Sequence, residues 1–214
     1  MFVLNDNFKI CRYSDDLIIL NIINDSYSIL ENINIEAIRQ INLSIFNNFN
    51  KLIDEGVLSN TDTQRCCSEN VNFLEERWIK PTTRKTKTNL IKLLMTYIKI
   101  KKCERILIKK GFNGVMESLR RERRNIKYKQ ENLVFNESAM HHLNKAYPYS
   151  KNNSNCLTYS FCLASMLTRK NFNAKLIIGV RTKPFFSHAW VEINGVVIND
   201  DVEIRNKLSV IWEI

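Results

Sequence analysis

Short alternating runs open the chain. Phe8, Ile10 and Arg12 alternate as a strand, Leu17 to Asn21 is an Ile-rich apolar run, and Tyr27 and Ile29 alternate again. Ser14-Asp15-Asp16 and Asn24-Asp25 supply turns between them, so the pattern predicts a three-stranded antiparallel meander. The period then changes. Ile35, Ile38 and Ile41 recur every third residue behind an Asn34 cap. Ile45, Phe46, Phe49, Leu52 and Ile53 mark a second helix closed by Gly56, and a third falls around 63–77, in a polar stretch of weak pattern. Three strands followed by small helices make a winged-helix-type module.

Pro81 and the run TTRKTKT read as a linker. Leu90, Leu93, Leu94, Tyr97 and Ile98 then share one helical face, with Lys92, Lys99, Lys101 and Lys102 elsewhere. Such a basic amphipathic helix packs on a neighbouring domain and leaves its Lys face in solvent; membrane-surface or phosphate binding is the alternative. A break at Gly111–Gly114 leads to RRERR at 120–124, which reads as exposed surface or a dock for an acidic or phosphate partner.

The last sixty residues are patterned most clearly. Ser154-Asn155 caps a helix beginning near Cys156, with Leu157, Phe161, Ala164 and Leu167 as its apolar side. Ala174–Val180 reads as a buried strand. Ser187–Ile193 follows the Pro184 turn as a second, and Val196–Asp200 pairs with it across the hairpin signal Asn194-Gly195. Ser209–Ile214 is a further strand. The fold class is α+β.

Charge divides the chain in the same three places. The net charge of the 214 residues is +10, yet residues 1–79 carry −6, residues 80–130 carry +14 and residues 131–214 carry +2. The domains are therefore read as 1–79, a basic helical segment 80–130, and 131–214. No apolar run is long enough to span a membrane, and MFVLNDNFKI lacks the features of a signal peptide. Six Cys without a CxxC fit a reducing cytoplasm. No zinc spacing and no phosphate-binding glycine loop occur, and nothing in the charge pattern calls for nucleic acid.

One constellation carries chemistry. A Cys at the first turn of a helix sits where the helix end favours negative charge, which raises its thiolate fraction. Pivoting a hairpin at Asn194-Gly195 sets His188 and Asp200 opposite each other to within one position, roughly 5 Å apart. Cys156, His188 and Asp200 are then a nucleophile, its base and the group that orients the base. Asp201 adjoins Asp200, but the turn register favours Asp200. Cys162 lies roughly 240° around the helix from Cys156 and reads as core. The alternatives are acyl transfer of the transglutaminase or arylamine-acetyltransferase type, and a non-catalytic peptide-binding adaptor.

The runs NCLTYSFCLASML, LIIGVRTKPFFSHAWVEINGVVIND and KLSVIWEI resemble the leader peptidases of lasso-peptide biosynthesis. SDDLIILNIINDSYSI and FLEERW resemble members with a fused PqqD-like recognition domain, and residues 80–150 match poorly. The resemblance implies a transglutaminase-like, papain-related cysteine protease with its triad at Cys156, His188 and Asp200. It implies removal of the leader from a ribosomally made precursor, after a Thr placed second from the leader's end. The freed core would pass to an asparagine-synthetase-like macrolactam cyclase. It also implies leader binding by strand addition at Ser26–Leu30, with Tyr27 or Ile29 facing the groove. ATP is linked to cleavage in the family; the sequence shows no site for it.

Overall fold

The structure, a computed structural model, describes residues 2–4, 7–31, 58–60, 80–82, 87–124, 133–150 and 155–214. The helices expected between residues 34 and 77 lie outside these. The expected meander is present: β2 (Phe8–Tyr13), β3 (Asp16–Asn21) and β4 (Ser26–Leu30) form an antiparallel sheet in that order. Its register sets Cys11 opposite Ile18 and Ile18 opposite Ile29. The sequence pattern missed a smaller pair, β1 (Phe2–Leu4) with β5 (Leu58–Asn60). Three residues are too few for alternation to show.

The C-terminal half is a helical layer on a four-stranded sheet. Helix α1 (Leu90–Arg123), α2 (Leu133–Ala146) and α3 (Cys156–Thr168) precede β6 (Ala174–Arg181), β7 (Phe186–Ile193), β8 (Val196–Val197), the short α4 (Ile204–Lys207) and β9 (Ser209–Glu213). The sheet order is β8-β7-β6-β9, all antiparallel. Leu143, Tyr159, Phe161, Leu163, Leu176 and Val191 are buried between the layers. No helix among the described residues is long and apolar enough to cross a membrane.

Helix α1 does not bury the face its leucines suggested. Leu90, Leu94 and Ile98 are exposed, whereas Thr96, Ile100, Cys103 and Glu104 are buried. The reason lies in satisfied polar groups. The Thr96 hydroxyl donates to the Lys92 carbonyl at 2.7 Å, and Glu104 accepts from Ser150 and pairs with Lys101. The inward face can thus carry polar residues that a hydrophobicity pattern assigns to solvent. Nor is the 120–124 cluster simply surface. Glu122 holds Lys99 at 3.0 Å and Arg169 at 2.8 Å and accepts from Ser165. Arg123 donates to the carbonyls of Ala174 and Ile214.

The N-terminal sheet is fused to this core. Cys11, Ile18, Leu20 and Ile22 belong to the same apolar cluster as Phe112, Val115 and Trp212. Two carboxylates fix the seam. Asp16, fully buried, accepts from the Thr182 hydroxyl at 2.5 Å and pairs with Lys183 at 3.2 Å. Asp25 caps the second half of α1: its Oδ1 accepts from the Phe112 N–H at 2.9 Å. That N–H is available because Gly111 breaks the helix with φ 53°. A methyl group at Gly111 would lie 2.1 Å from Asp25 Oδ2.

Two substitutions test the seam. Asp25→Ala removes a helix cap and should lower unfolding free energy by about 1 kcal/mol. Gly111→Ala adds a strained left-handed residue to the loss of that contact and should cost more, about 1–3 kcal/mol. Urea denaturation of the full chain measures both.

Candidate active site

Helix α3 begins where the sequence indicated. Asn155 is its cap: Oδ1 accepts from the Thr158 N–H and the Thr158 hydroxyl, both at 2.9 Å. The Asn155 carbonyl receives the Tyr147 hydroxyl at 2.9 Å, which pins the helix start from the other side. Cys156 is thus the first helical residue, half-buried, with its own N–H among those left unpaired by the helix end.

His188 sits within β7, opposite Gly179 of β6. Its Nε2 lies 2.6 Å from Asp200 Oδ2, and both residues are buried. The ring stacks near-parallel between Phe186 and Trp190, with centroids 5.8 and 6.3 Å away. Burial alone would lower its pKa. Hydrogen bonds to Asp200 and Cys156, with their charges, outweigh burial and raise it to about 9. With Nε2 committed to Asp200, Nδ1 is the nitrogen left for Cys156. At neutral pH the ring is therefore an imidazolium held between a carboxylate and the sulfur.

The hairpin keeps the expected register but not the expected length. Glu192 pairs with Val197 and Ile193 with Val196, and the Ile198 N–H reaches the Val191 carbonyl at 2.9 Å. The strand expected over Val196–Asp200 covers only Val196–Val197. It stops because the Asn199 side chain replaces the ladder: the Val191 N–H donates to Asn199 Oδ1 at 2.8 Å. The chain then bends and Asp200 reaches back to His188. Asp200 also accepts the N–H of Asp201 at 2.8 Å. Asp201 turns away, accepting from the Glu203 N–H at 3.0 Å and pairing with Lys207. Its carboxyl is held below its usual range by the Lys207 bond.

Three residues the sequence reading passed over hold the centre together. Ser160, one helical turn beyond Cys156, donates to the Ala189 carbonyl at 2.8 Å and accepts from Asn199 Nδ2 at 3.3 Å. Asn199 and Ser160 are fully buried. Their only signal in sequence is position, next to Asp200 and four residues after Cys156. Trp190 covers Gly179 so closely that a β-carbon there would lie 2.6 Å from the ring. Its Nε1–H donates at 2.7 Å to Glu192, itself held by Arg205 through two 2.7 Å bonds.

Cys162 is fully buried and meets Cys103 of α1 thiol to thiol, apart from the His188 pair. Of the two groove candidates, Tyr27 is half-buried with its hydroxyl 2.9 Å from Ser187 Oγ, beside His188. Ile29 lies further along β4, opposite Ile18. Among the described residues no cluster of His, Cys, Asp or Glu suits a metal ion.

The profile of the transglutaminase-like superfamily matches residues 105–213. The microcin J25-processing protein McjB of Escherichia coli is 38% identical over 97% of this chain and 99% of its own length. No solved structure matches the chain. The matched span begins inside α1, so the second half of that helix belongs with the sheet that carries His188.

Two measurements probe the centre. Asn199→Ala leaves the Val191 N–H and one side of Ser160 unpaired in the core and should cost about 1–3 kcal/mol in unfolding free energy. The raised pKa of His188 stabilises the fold fully below its ordinary 6.5, and that stabilisation is lost as pH climbs through about 9. The stability advantage of the native chain over His188→Gln should therefore shrink from pH 6.5 to 9, measured by denaturation at each pH.

Proposed function

This chain belongs to the transglutaminase-like superfamily, in one family with the microcin J25-processing protein, and on that premise we propose that it is a cysteine endopeptidase. It removes the leader from a ribosomally synthesised lasso-peptide precursor before macrolactam formation. The observation that carries this reading is the arrangement of Cys156 at a capped helix start, facing an imidazole that Asp200 orients at 2.6 Å. Near-full-length similarity to a precursor-processing protein supports the substrate class.

The steps follow from the residues. The Cys156 sulfur, its proton already held by the His188 imidazolium, attacks the scissile carbonyl carbon. The carbonyl oxygen, now negative, faces the Cys156 N–H at the helix start. The imidazolium returns its proton to the leaving amine, which is the new N-terminus of the core peptide. Water, deprotonated by His188, then splits the thioester and frees the leader. Asp200 keeps Nε2 bonded throughout, so Nδ1 stays aimed at the sulfur. The released amine is the group a macrolactam cyclase consumes.

For ATP, the fit is to a cavity of about 290 Å³ between α1, α2 and α3. Lys92, Lys99, Arg169 and Lys170 line it beside Met95 and Met166; Lys99 and Arg169 are paired with Glu122 and would have to share their charge between that carboxylate and the phosphates. ATP would supply phosphoanhydride energy there; none of the steps above runs through it.

Cys156→Ala should abolish precursor cleavage, read by mass spectrometry, while precursor binding, read by titration, persists. Cys162→Ala should still cleave. Cleavage retained by Cys156→Ala overturns the mechanism. Asp200→Asn should reduce kcat by at least about 100-fold, because an amide can hold the wrong imidazole tautomer. Asp201→Asn should change it little, since that carboxylate serves Lys207 and Glu203. If the leader is never released as the free acid in plain buffer and product forms only once an amine acceptor is added, acyl transfer replaces hydrolysis.

A further inference from the structure

Strand β4 is an edge of its sheet among the described residues, pairing with β3 alone. Such an edge offers unpaired backbone groups to an extended peptide. Its first residues run into the catalytic centre. Tyr27 bonds Ser187, the residue before His188, at 2.9 Å, and its ring meets Phe185 at a 5.2 Å centroid distance and 56°. Phe185 comes from the loop joining β6 to β7, the same loop whose Thr182 and Lys183 grip Asp16. Two aromatic rings, one from each half of the chain, thus meet at Ser187, the neighbour of His188. The phenol lies close enough to Cys156 to feel its charge; burial first, then that charge, push its pKa up to about 12, so it stays a neutral donor.

Resting on the peptidase reading, we propose that Tyr27 is a substrate-positioning residue of the catalytic cleft itself, with Phe185 as its partner. Leader recognition on β4 and presentation of the scissile bond then share one residue. Chain direction follows. Tyr27 stands at the start of β4 and Leu30 at its end, some 10 Å away at about 3.3 Å per residue. A peptide that pairs along β4 and leaves toward Cys156 at its own C-terminal end must run antiparallel to β4. Its ring-contacting residues sit just before the scissile bond.

The test separates positioning from leader affinity. The probe is acetyl-Ala-Thr-Ala chloromethyl ketone, too short to lie along β4. It alkylates the Cys156 sulfur by carbon–sulfur bond formation with loss of chloride. Iodoacetamide, which needs no peptide positioning, is the control. Tyr27→Ala should slow labelling by the peptide reagent at least 10-fold and labelling by iodoacetamide less than 2-fold. With the precursor it should lower kcat more than it raises KM. Tyr27→Phe keeps the ring and should recover most of both. Phe185→Ala, on a separate loop, should repeat the peptide-reagent defect if Tyr27→Ala fails to fold. Equal slowing with both reagents, or a rise in KM alone with peptide labelling untouched, overturns the proposal. A native chain that is labelled by the peptide reagent but leaves the precursor uncut overturns the peptidase reading instead.

Discussion

Everything at the candidate active site depends on one buried polar knot. Asn199 joins the Val191 N–H of β7 to Ser160 of α3, and Ser160 joins the Ala189 carbonyl. The three residues of the proposed triad sit next to members of this knot. Ala189 follows His188, Asn199 precedes Asp200, and Ser160 lies one turn from Cys156. The knot is free of water-exposed atoms, so each bond lost would leave a desolvated donor or acceptor. That penalty gives helix, strand and bend a single relative placement.

Around the knot, two further constraints tune the imidazole. Trp190 and Phe186 flank it as parallel plates, and Gly179 leaves room for the indole beneath. The Glu192–Arg205 pair fixes the far edge of that indole. A buried carboxylate held by a bidentate guanidinium is costly to break from either side, which makes the stack rigid.

Much of this was legible in sequence, for identifiable reasons. The meander showed because alternation and turn residues agree over Phe8–Leu30. The His188–Asp200 contact showed because Asn194-Gly195 fixes a hairpin register, and the cap at Asn155 located Cys156. What stayed hidden is side-chain substitution for backbone. Asn199 ends β8 early by taking over a ladder bond, and no propensity marks that. The buried face of α1 was hidden for a related reason: Thr96 and Glu104 are satisfied inside, while Leu90 and Leu94 face outward. The charge asymmetry marked the middle segment but not its role. Glu122 and Arg123 clamp α3, β6 and the C-terminal strand, so part of a formally basic run is internal bracing.

The seam made by Asp16 and Asp25 bears on how the chain can be divided. The gene segment around residue 80 looks like a place to cut, with a proline and a polar run. A cut there yields two polypeptides, and each inherits half of one apolar cluster. The C-terminal piece would show Phe112 and Trp212 to water, and the N-terminal piece would show Ile18 and Leu20, with Asp16 parted from Thr182 and Lys183. Two such pieces are a subunit pair by construction. The shared apolar cluster, with Asp16 and Asp25 reaching across it, is the interface such a pair would have to keep.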